Sequence, residues 1–360
     1  MEDVVQLSHK EFLNIHKDYT KAAKAADLIY VSDKEPGISR IKTAKGFRYV
    51  YNGKPFKEKD ELERISRLAI PPAWINVWIC PKENGHIQAT GVDVKGRKQY
   101  RYHRLWESLR NETKFHRLYE FGKVIPSLRL KLEEDLVKKE LCEEKVVATV
   151  ISLMERTYIR VGNDDYEKLY GSYGLTTLKD KHVTVNGDTI EFSFIGKKGV
   201  EQKINLRNKK LARMVKQCRD IPGKELFQYF APDGSRQSID SGMVNRYIKE
   251  ATGGDFTAKD FRTWAGTLNI LRAFCTIGEP EADSDCKKNI VAALDEVSKK
   301  LGNTRTVCKK YYVHPGIIKL YEDRTLQKYL KELDQIEKED NLAGLTSEER
   351  VLMKILKELV

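Results

Sequence analysis

The spacing of hydrophobic residues divides the chain into a mixed first part and a longer helical part. Before about residue 103, the apolar period changes several times between helix-like and strand-like spacing. The elements predicted there are a helix over 9–29, a hairpin over 46–56 with its turn at Asn52-Gly53, a short helix over 60–70 that Pro71-Pro72 stops, and β-rich runs over 77–103. This part therefore predicts a small, mainly antiparallel domain with helical additions.

From residue 103 onward the apolar positions recur at helical spacing. One insert, residues 181–206, alternates apolar and polar positions around turn residues and predicts a β-hairpin. The predicted helices cover 103–120, 124–162, 208–218, 239–251, 259–276, 286–301 and 316–336. The fold class predicted is therefore α+β, a small β-rich domain followed by a larger, mainly α-helical domain with a β-hairpin insert.

The predicted domain organisation has four parts. They are a β-rich N-terminal domain over 1–105, a hinge over 106–122, the larger helical domain over 123–340 and an amphipathic helix over 341–360. That last helix begins with a capping pair, Thr346 and Glu349, and carries an apolar stripe. The stripe consists of Val351, Leu352, Ile355, Leu356 and Leu359. It predicts packing on the parent domain, with binding to a partner protein as the alternative.

Charge narrows the class of partner. Lys and Arg number 65 against 53 Asp and Glu, a net charge of +12, which favours a polyanionic partner such as nucleic acid or an acidic membrane surface. No apolar run approaches the roughly 18 residues of a membrane-spanning helix, and the N-terminus has no secretory signal pattern. We therefore expect a soluble, intracellular protein.

Motifs for common cofactors are missing from the sequence. The six cysteines are scattered singly, which predicts reduced thiols and no structural zinc, since zinc sites use paired ligands. Neither a phosphate-binding loop nor a GxGxxG motif after a strand occurs. We therefore expect no nucleotide and no required cofactor, with a divalent metal ion at most stimulating the activity.

One segment, KGRKQYRYHR over 95–104, alternates basic and aromatic residues. Basic side chains supply phosphate contacts, and the interleaved tyrosines can hydrogen-bond to DNA or stack. Extended backbone would place Lys98, Tyr100 and Tyr102 on one face. The predicted DNA contacts here are Lys95, Arg97, Lys98, Tyr100, Arg101 and Tyr102, with Gln88 and Thr90 upstream. The alternative is an ordinary charged edge strand that resists aggregation.

Four further segments place cations beside turns or helix ends. They are ERTYIRVGNDDYEKLYGSYGLTTLKDKHV over 155–183, FIGKKG over 194–199, AKDFRTW over 258–264 and LGNTRTVCKKYYVHP over 301–315. A single arginine in any of them is more often a surface ion-pair residue than a catalyst. In this order, however, the chain resembles the small type IB DNA topoisomerases of poxviruses, giant DNA viruses and some bacteria. The resemblance extends from about Pro36 through IPPAW and HIQATGVDVKGRKQYRYH to VCKKYYVHP.

The resemblance implies a fold and a set of site residues. The fold would be that of the tyrosine recombinases and type IB topoisomerases, with two domains forming a C-shaped clamp around duplex DNA. The implied catalytic residues are Arg160, Lys197, Lys259, Arg262, Asn303 and Tyr312. Asn303 stands where the poxvirus enzymes carry histidine, and the neighbouring Tyr311 is the alternative to Tyr312 as nucleophile. Tyr166 is counted among the predicted DNA contacts.

These residue types suit a metal-free phosphoester exchange. A tyrosine oxygen that attacks DNA exchanges one phosphoester for another, so resealing needs no ATP. Arg160 and Arg262 can stabilise the extra negative charge of the transition state, and the resemblance implies that Lys197 is the general acid, with Lys259 assisting. The expected activity is relaxation of supercoiled duplex DNA by a monomer through a 3′-phosphotyrosyl intermediate. A tyrosine recombinase and a non-catalytic DNA-binding or architectural protein are the alternatives.

Overall fold

The protein is described here by a computed structural model. The structure describes residues 8–15, 18–44, 46–334 and 344–359 of the 360-residue chain. The chain forms two compact units, one ending at Arg117 and one running from Leu118 to Leu359. The first is rich in β-strands and the second is mainly helical, which confirms the predicted fold class.

The first unit is built around one six-stranded antiparallel sheet. Its elements are α1 (His9–Ile15), α2 (Tyr19–Ala25), β1 (Ile38–Thr43), β2 (Gly46–Tyr51), β3 (Lys54–Pro55), α3 (Lys59–Arg67), β4 (Ile75–Ile79), β5 (Ile87–Val92) and β6 (Lys98–Tyr102). The strand order is β3-β2-β1-β4-β5-β6, so β6 is an edge strand. The predicted hairpin is present, and Asn52 and Gly53 both have positive φ, as a tight two-residue turn requires.

The predicted helix over 9–29 is wrong as one element. A second helix, α2, starts after Asp18, whose carboxylate accepts hydrogen bonds from the backbone N–H groups of Thr20 and Lys21. An N-cap of this kind satisfies donors that a continuous helix would have bonded internally. The apolar spacing continues across the interruption, and it therefore does not reveal it.

The second unit surrounds a single large apolar core. Its elements are α4 (Arg104–Leu136, which starts in the first unit), α5 (Glu143–Thr157), α6 (Asp164–Tyr170), β7 (Val183–Asn186), β8 (Thr189–Ile195), β9 (Glu201–Arg207), α7 (Lys209–Arg219), β10 (Gln228–Phe230), β11 (Arg236–Ser238), α8 (Ser241–Thr252), α9 (Ala258–Ile277), α10 (Asp283–Leu301), α11 (Arg305–Tyr311), α12 (Pro315–Glu322), α13 (Gln327–Asp334) and α14 (Ser347–Leu359). Strands β7, β8 and β9 form the predicted β-insert.

Helix α4 is continuous where the sequence predicts a break at 121–123. A Cβ on Gly122 would lie 2.2 Å from Sδ of Met353 and 2.8 Å from the ring of Trp264, so glycine is needed here for close packing rather than to end a helix. The interruption between α4 and α5 falls instead at 137–142. The predicted hinge over 106–122 lies within α4, and its action as a hinge stays a prediction.

The C-terminal helix packs on its own unit. Four stripe residues of α14 (Val351, Leu352, Ile355 and Leu356) are fully buried in the main core. Of the two alternatives that the sequence left open, packing on the parent domain is therefore the one observed. The helix predicted over 316–336 is two helices, α12 and α13, because the chain turns between them at Arg324, which has a positive φ.

Candidate active site

A cleft of about 350 Å³ in the second unit brings together residues from four separate segments. Its lining includes Arg160 after α5, Lys197 between β8 and β9, Lys259 and Arg262 on α9, and Tyr312 at the end of α11. These are five of the six catalytic residues that the resemblance implies, and the sixth, Asn303, is hydrogen-bonded to Arg160. Tyr166 on α6 also lines the cleft.

Arg160 is placed by the way α5 ends. Tyr158, the C-cap of this helix, has a left-handed backbone with φ 58°, which turns the chain out of the helix. Beyond the turn, the Arg160 carbonyl accepts a hydrogen bond from the Leu175 N–H at 2.9 Å, and the Val161 carbonyl accepts one from Thr176 at 2.7 Å. The backbone of Arg160 and of the residue after it is thus held by the segment at Leu175 and Thr176.

Arg262 is held in the first turns of α9 and is 7% exposed. Its Nη1 donates to the Tyr158 carbonyl, and its Nη2 donates to the Leu301 carbonyl at 2.7 Å. Within the described part of the chain, its buried Nε has no hydrogen-bond partner. Burial, followed by the charge of Arg262, lowers the pKa of Arg160 to about 10. Two guanidiniums therefore lie close enough for each to feel the charge of the other, and no carboxylate is among the described residues that line the cleft, an arrangement suited to an anion.

Tyr312 lies against these guanidiniums. Cζ of Arg262 is 5.1 Å from the centre of the phenol ring. Burial raises the pKa of Tyr312, but the charge and hydrogen bond of Arg262, with the charges of Arg160 and Lys259, outweigh it, so the pKa lies below its ordinary value. The environment thus favours the phenolate, which is the nucleophilic form.

Tyr311 occupies a different position. It is 40% exposed, and it is not among the residues that line the cleft. Tyr312 follows the last residue of α11, its N–H donates to the Cys308 carbonyl at 2.9 Å, and it is among the residues that line the cleft. The geometry thus favours Tyr312 as the residue that meets the arginines.

Asn303 extends the arginine pair. Its Oδ1 accepts a hydrogen bond from Nη2 of Arg160. Its Nδ2 is buried and has no partner among the residues that the structure describes. A buried donor without a partner is costly, and an oxygen of a bound phosphate would satisfy it.

The two lysines of the cleft are exposed. Lys197 begins a short 3-10 turn at the tip of the β8–β9 hairpin, and its Nζ lies 5.3 Å from the centre of the Tyr166 ring. Lys259 is in the first turn of α9. Both ammonium groups can therefore reach a ligand in the cleft without leaving a buried site.

Two further residues, which sequence reasoning missed, hold the Tyr312 backbone. A Cβ on Gly266 of α9 would lie 2.4 Å from the Tyr312 carbonyl oxygen. The hydroxyl of Thr267 donates to that same carbonyl and accepts from the His314 N–H, both at 3.2 Å. A glycine inside an otherwise regular helix was the only available signal, because glycine weakens a helix unless close packing requires it.

The predicted DNA contacts other than Tyr166 lie in the first unit and divide into two groups. On the edge strand β6, Tyr100 and Tyr102 are exposed and stacked with ring centres 5.7 Å apart, and Lys98 lies 5.5 Å from the Tyr100 ring. The predicted alternation of this strand is thus observed. Arg101 is exposed and Arg97 is half-buried, while Lys95 is exposed in the preceding turn.

Gln88 and Thr90 are instead buried. The Gln88 amide accepts from Arg64 at 2.7 Å and donates to the carbonyls of Glu83 and Gly85 at 2.8 Å. The Thr90 hydroxyl donates to Asp33, which also pairs with Lys98 at 2.5 Å. Their side chains are committed to the fold of this unit, so a role for them in DNA contact finds no support in this conformation.

Comparison with known proteins agrees with these features. A family model of the catalytic core of eukaryotic DNA topoisomerase I matches residues 98–340, and one of the N-terminal domain of bacterial DNA topoisomerase IB matches residues 46–93. The DNA topoisomerase 1B of Acanthamoeba polyphaga mimivirus is 34% identical over 296 residues, which cover 80% of this chain and 88% of that protein. The chain belongs to the type IB DNA topoisomerases. It is thus an enzyme that acts on DNA and changes its topology, rather than a recombinase or a non-catalytic protein.

More distant type IB topoisomerases match a smaller share of the chain. The DNA topoisomerase 1B of vaccinia virus (strain Copenhagen) is 24% identical over 237 residues, 65% of this chain and 72% of that protein. The DNA topoisomerase 1 of Mycosarcoma maydis is 25% identical over 177 residues, 44% of this chain and 17% of that protein. The matches fit the small viral and bacterial subfamily of type IB topoisomerases.

No helix within the described ranges is long and apolar enough to cross a membrane. The same residues hold no group of at least three His, Cys, Asp or Glu side chains that could bind a metal ion.

Proposed function

We propose that Tyr312 is the nucleophile of this topoisomerase and that it forms a 3′-phosphotyrosyl link with one strand of duplex DNA. The observation that carries the proposal is the position of its phenol beside Arg262 and Arg160, whose charges lower the pKa of Tyr312. The enzyme then lets the broken strand turn about the intact one and reseals it. Because each step exchanges one phosphoester for another, no nucleotide is consumed, and neither a nucleotide nor a metal ion is required.

The two arginines and Asn303 bind the nonbridging oxygens of the phosphate. During attack these oxygens gain negative charge, and guanidiniums already fixed in place stabilise it without reorganisation. Nε of Arg262 and Nδ2 of Asn303 are buried donors with no partner in the described part of the chain. In the transition state these two donors gain hydrogen-bond partners that the free enzyme lacks. The free energy of the transition state is therefore lowered relative to that of the free enzyme.

Lys197 protonates the leaving 5′-oxygen. Its position on an exposed hairpin tip lets the ammonium group approach the phosphate when DNA fills the cleft. Lys259, which is exposed in the first turn of α9 and also lines the cleft, assists Lys197. The reverse reaction uses the same groups, with Lys197 as the base that activates the 5′-hydroxyl.

Residues of β6 and of the turn before it bind DNA in the first unit, and the enzyme acts as a monomer. Phosphate contacts come from Lys95, Arg97, Lys98 and Arg101, while Tyr100 and Tyr102 reach the groove; Tyr166 contacts DNA at the cleft. One chain supplies all six catalytic groups.

The test is capture of the covalent complex on an end-labelled duplex in EDTA without ATP. Wild-type enzyme should give a DNA band shifted by the attached protein on a denaturing gel, while Tyr312→Phe should give none and keep its affinity for DNA. Tyr311→Phe is the matched control and should behave as wild type. If Tyr311→Phe alone loses the band, the assignment of the nucleophile is wrong. A strict need for magnesium would overturn the proposed metal independence.

A further inference from the structure

The first turn of α14 carries two adjacent glutamates that contact the catalytic unit outside the cleft. Glu349 is 3% exposed, and its carboxylate accepts from Nη1 and Nη2 of Arg129 at 2.8 Å and from the indole Nε1 of Trp264 at 3.0 Å. It also caps its own helix by accepting from the Thr346 N–H at 2.8 Å. A buried carboxylate with this many donors has one well-defined position.

These contacts connect α14 to the helix that carries Arg262. Trp264 lies two residues after Arg262 on α9, and its ring and the sulfur of Met353 on α14 both pack closely against Gly122 of α4. Glu348 adds a second connection, since its Oε2 accepts from Nε of Arg272, also on α9, at 2.9 Å. Two neighbouring carboxylates of α14 therefore hold α9 at two places.

The same network reaches the segment before Arg160. Besides Glu349, Arg129 binds Glu155 in the last turn of α5, with Nη2 2.6 Å from Oε1. Glu155 lies three residues before Tyr158, whose carbonyl accepts the hydrogen bond from Arg262. A cavity of about 250 Å³ marks this junction, and Arg129, Glu155, Tyr158, Trp264, Arg272 and Glu349 are among the residues that line it.

At neutral pH the Glu349 carboxylate of this network is ionised. Burial raises the pKa of Glu349, but the hydrogen bonds and charge of Arg129, with the donors from Trp264 and Thr346, lower it below its ordinary value. Glu349 is thus ionised when the enzyme works, and its bonds to Arg129 are charge-assisted.

We propose that Glu349 and Glu348 are positioning residues for the cleavage step, acting through Arg262 and Arg160. They fix α9 and the end of α5 relative to each other, and this sets where the two guanidiniums meet the phosphate. The inference rests on the proposed function of those arginines. It assigns the C-terminal helix a part in the chemistry, although no α14 residue lines the active-site cleft.

The experiment compares Glu349→Gln and Glu348→Gln with Glu358→Gln. Glu358 is on the same helix but is exposed and pairs with Lys328, so it is a matched control. Single-turnover cleavage at saturating enzyme, well below the melting temperature, should slow about tenfold to a hundredfold for Glu349→Gln, the range expected when a reacting group is displaced by up to an ångström. Glu348→Gln should be slowed less and Glu358→Gln not at all, with DNA affinity unchanged in all three.

A modified substrate separates positioning from general loss of structure. A methylphosphonate at the scissile position replaces one nonbridging oxygen with a methyl group and removes the charge that the guanidiniums stabilise. On this substrate the defects of Glu349→Gln and Glu348→Gln should shrink. Exchanging the partners, with Glu348→Arg and Arg272→Glu in one protein, should restore much of the rate. Equal defects on both substrates, or full activity of the glutamine variants, would overturn the proposal.

Arg262→Ala tests the proposed role of Arg262 in stabilising charge on the phosphate, on which the positioning proposal rests. If that variant also shows equal defects on the phosphate and the methylphosphonate, the proposed role of the arginine fails. If Arg262→Ala is rescued by the methylphosphonate and Glu349→Gln is not, the arginine role stands and only the positioning role fails.

Discussion

At the scale of single residues, the cleft places the cation that we propose stabilises charge and the one that we propose transfers a proton in different surroundings. The guanidinium of Arg262 is buried and fixed by two backbone carbonyls, whereas Lys197 is exposed on a hairpin tip. A group that only stabilises charge benefits from rigidity, and a group that gives up a proton must approach and withdraw. The two kinds of cation are placed accordingly.

Lys197→Ala tests that division. Cleavage of ordinary DNA should slow by about 10²–10⁴-fold, the usual loss when a general acid is removed. A substrate with sulfur in place of the 5′-bridging oxygen needs no proton, because a thiolate leaves readily, so the variant should cleave it at nearly the wild-type rate. Lys198→Ala, the next residue on the same tip, is the matched control and should be normal on both. An equal defect on the oxygen and sulfur substrates would remove Lys197 from the acid role.

The clearest difference between the sequence-based prediction and the structure concerns the polar residues near β6. The resemblance to the type IB topoisomerases is enough to predict that Arg160, Arg262 and Tyr312 act together, and their side chains suit that chemistry. The types of Gln88 and Thr90 suggest DNA contacts equally well, yet both side chains are used inside the fold. Only tertiary structure distinguishes a polar residue that faces a ligand from one that bonds to its own chain.

At the scale of elements, α9 is the part of the second unit on which the site depends most. It carries Lys259 and Arg262, and its next turn contacts the backbone of Tyr312 through Gly266 and Thr267. The proposed nucleophile and one of the cations proposed to stabilise charge are therefore held by the same helix.

Gly266→Ala should disrupt this arrangement. Alanine normally favours a helix over glycine by about 0.5–1 kcal/mol, but here its methyl group would lie 2.4 Å from the backbone oxygen of Tyr312. We expect cleavage at saturating enzyme to fall by about tenfold or more, with DNA affinity kept. Gly242→Ala in the first turn of α8, where the nearest atom is a side-chain oxygen 3.0 Å away, is the control. A Gly266→Ala enzyme of wild-type rate and higher stability would contradict the contact.

The elements that sequence reasoning misplaced share one physical cause. The period of apolar residues predicts that a segment is helical, but helix ends are set by local bonds and by packing. Asp18 starts α2 by capping it, and Gly122 continues α4 because Met353 and Trp264 leave no space for a side chain. The first depends on hydrogen bonds of a single side chain and the second on residues more than a hundred positions away.

At the scale of the whole molecule, the stability of the second unit depends on buried ion pairs that respond to acid. The pKa of Glu349 is lower in the folded protein than in the unfolded chain, where it is about 4.3. Its ionisation therefore stabilises the fold above that pH, and this contribution is lost as the pH falls through the lower, folded value.

Melting temperatures measured from pH 7 down to pH 3 should show this dependence. Glu349→Gln should melt well below wild type at pH 7, since it leaves Arg129 buried with one of its two carboxylate partners lost. The difference should begin to narrow as the pH falls below about 4, because the unfolded chain then takes up a proton, and it should be lost once the pH is below the lower, folded pKa of Glu349. A difference that stays constant across this range would show that the ionised form of Glu349 does not stabilise the fold.

Relaxation of DNA also has a mechanical side, and the backbone contacts of Tyr312 bear on it. While a strand is joined to the proposed nucleophile, the torque of the unwinding duplex acts on the chain just beyond the seven-residue helix α11. Thr267 bonds to the Tyr312 carbonyl and to the His314 N–H, just after the proposed point of attachment, and so connects this part of the backbone to α9, a largely buried helix of 20 residues. The anchor of the attached strand is thus rigid over a few residues. The 3′ end that is joined to the enzyme therefore stays in position while the rest of the DNA rotates. The 5′-hydroxyl can then return to the same phosphate and reseal the strand.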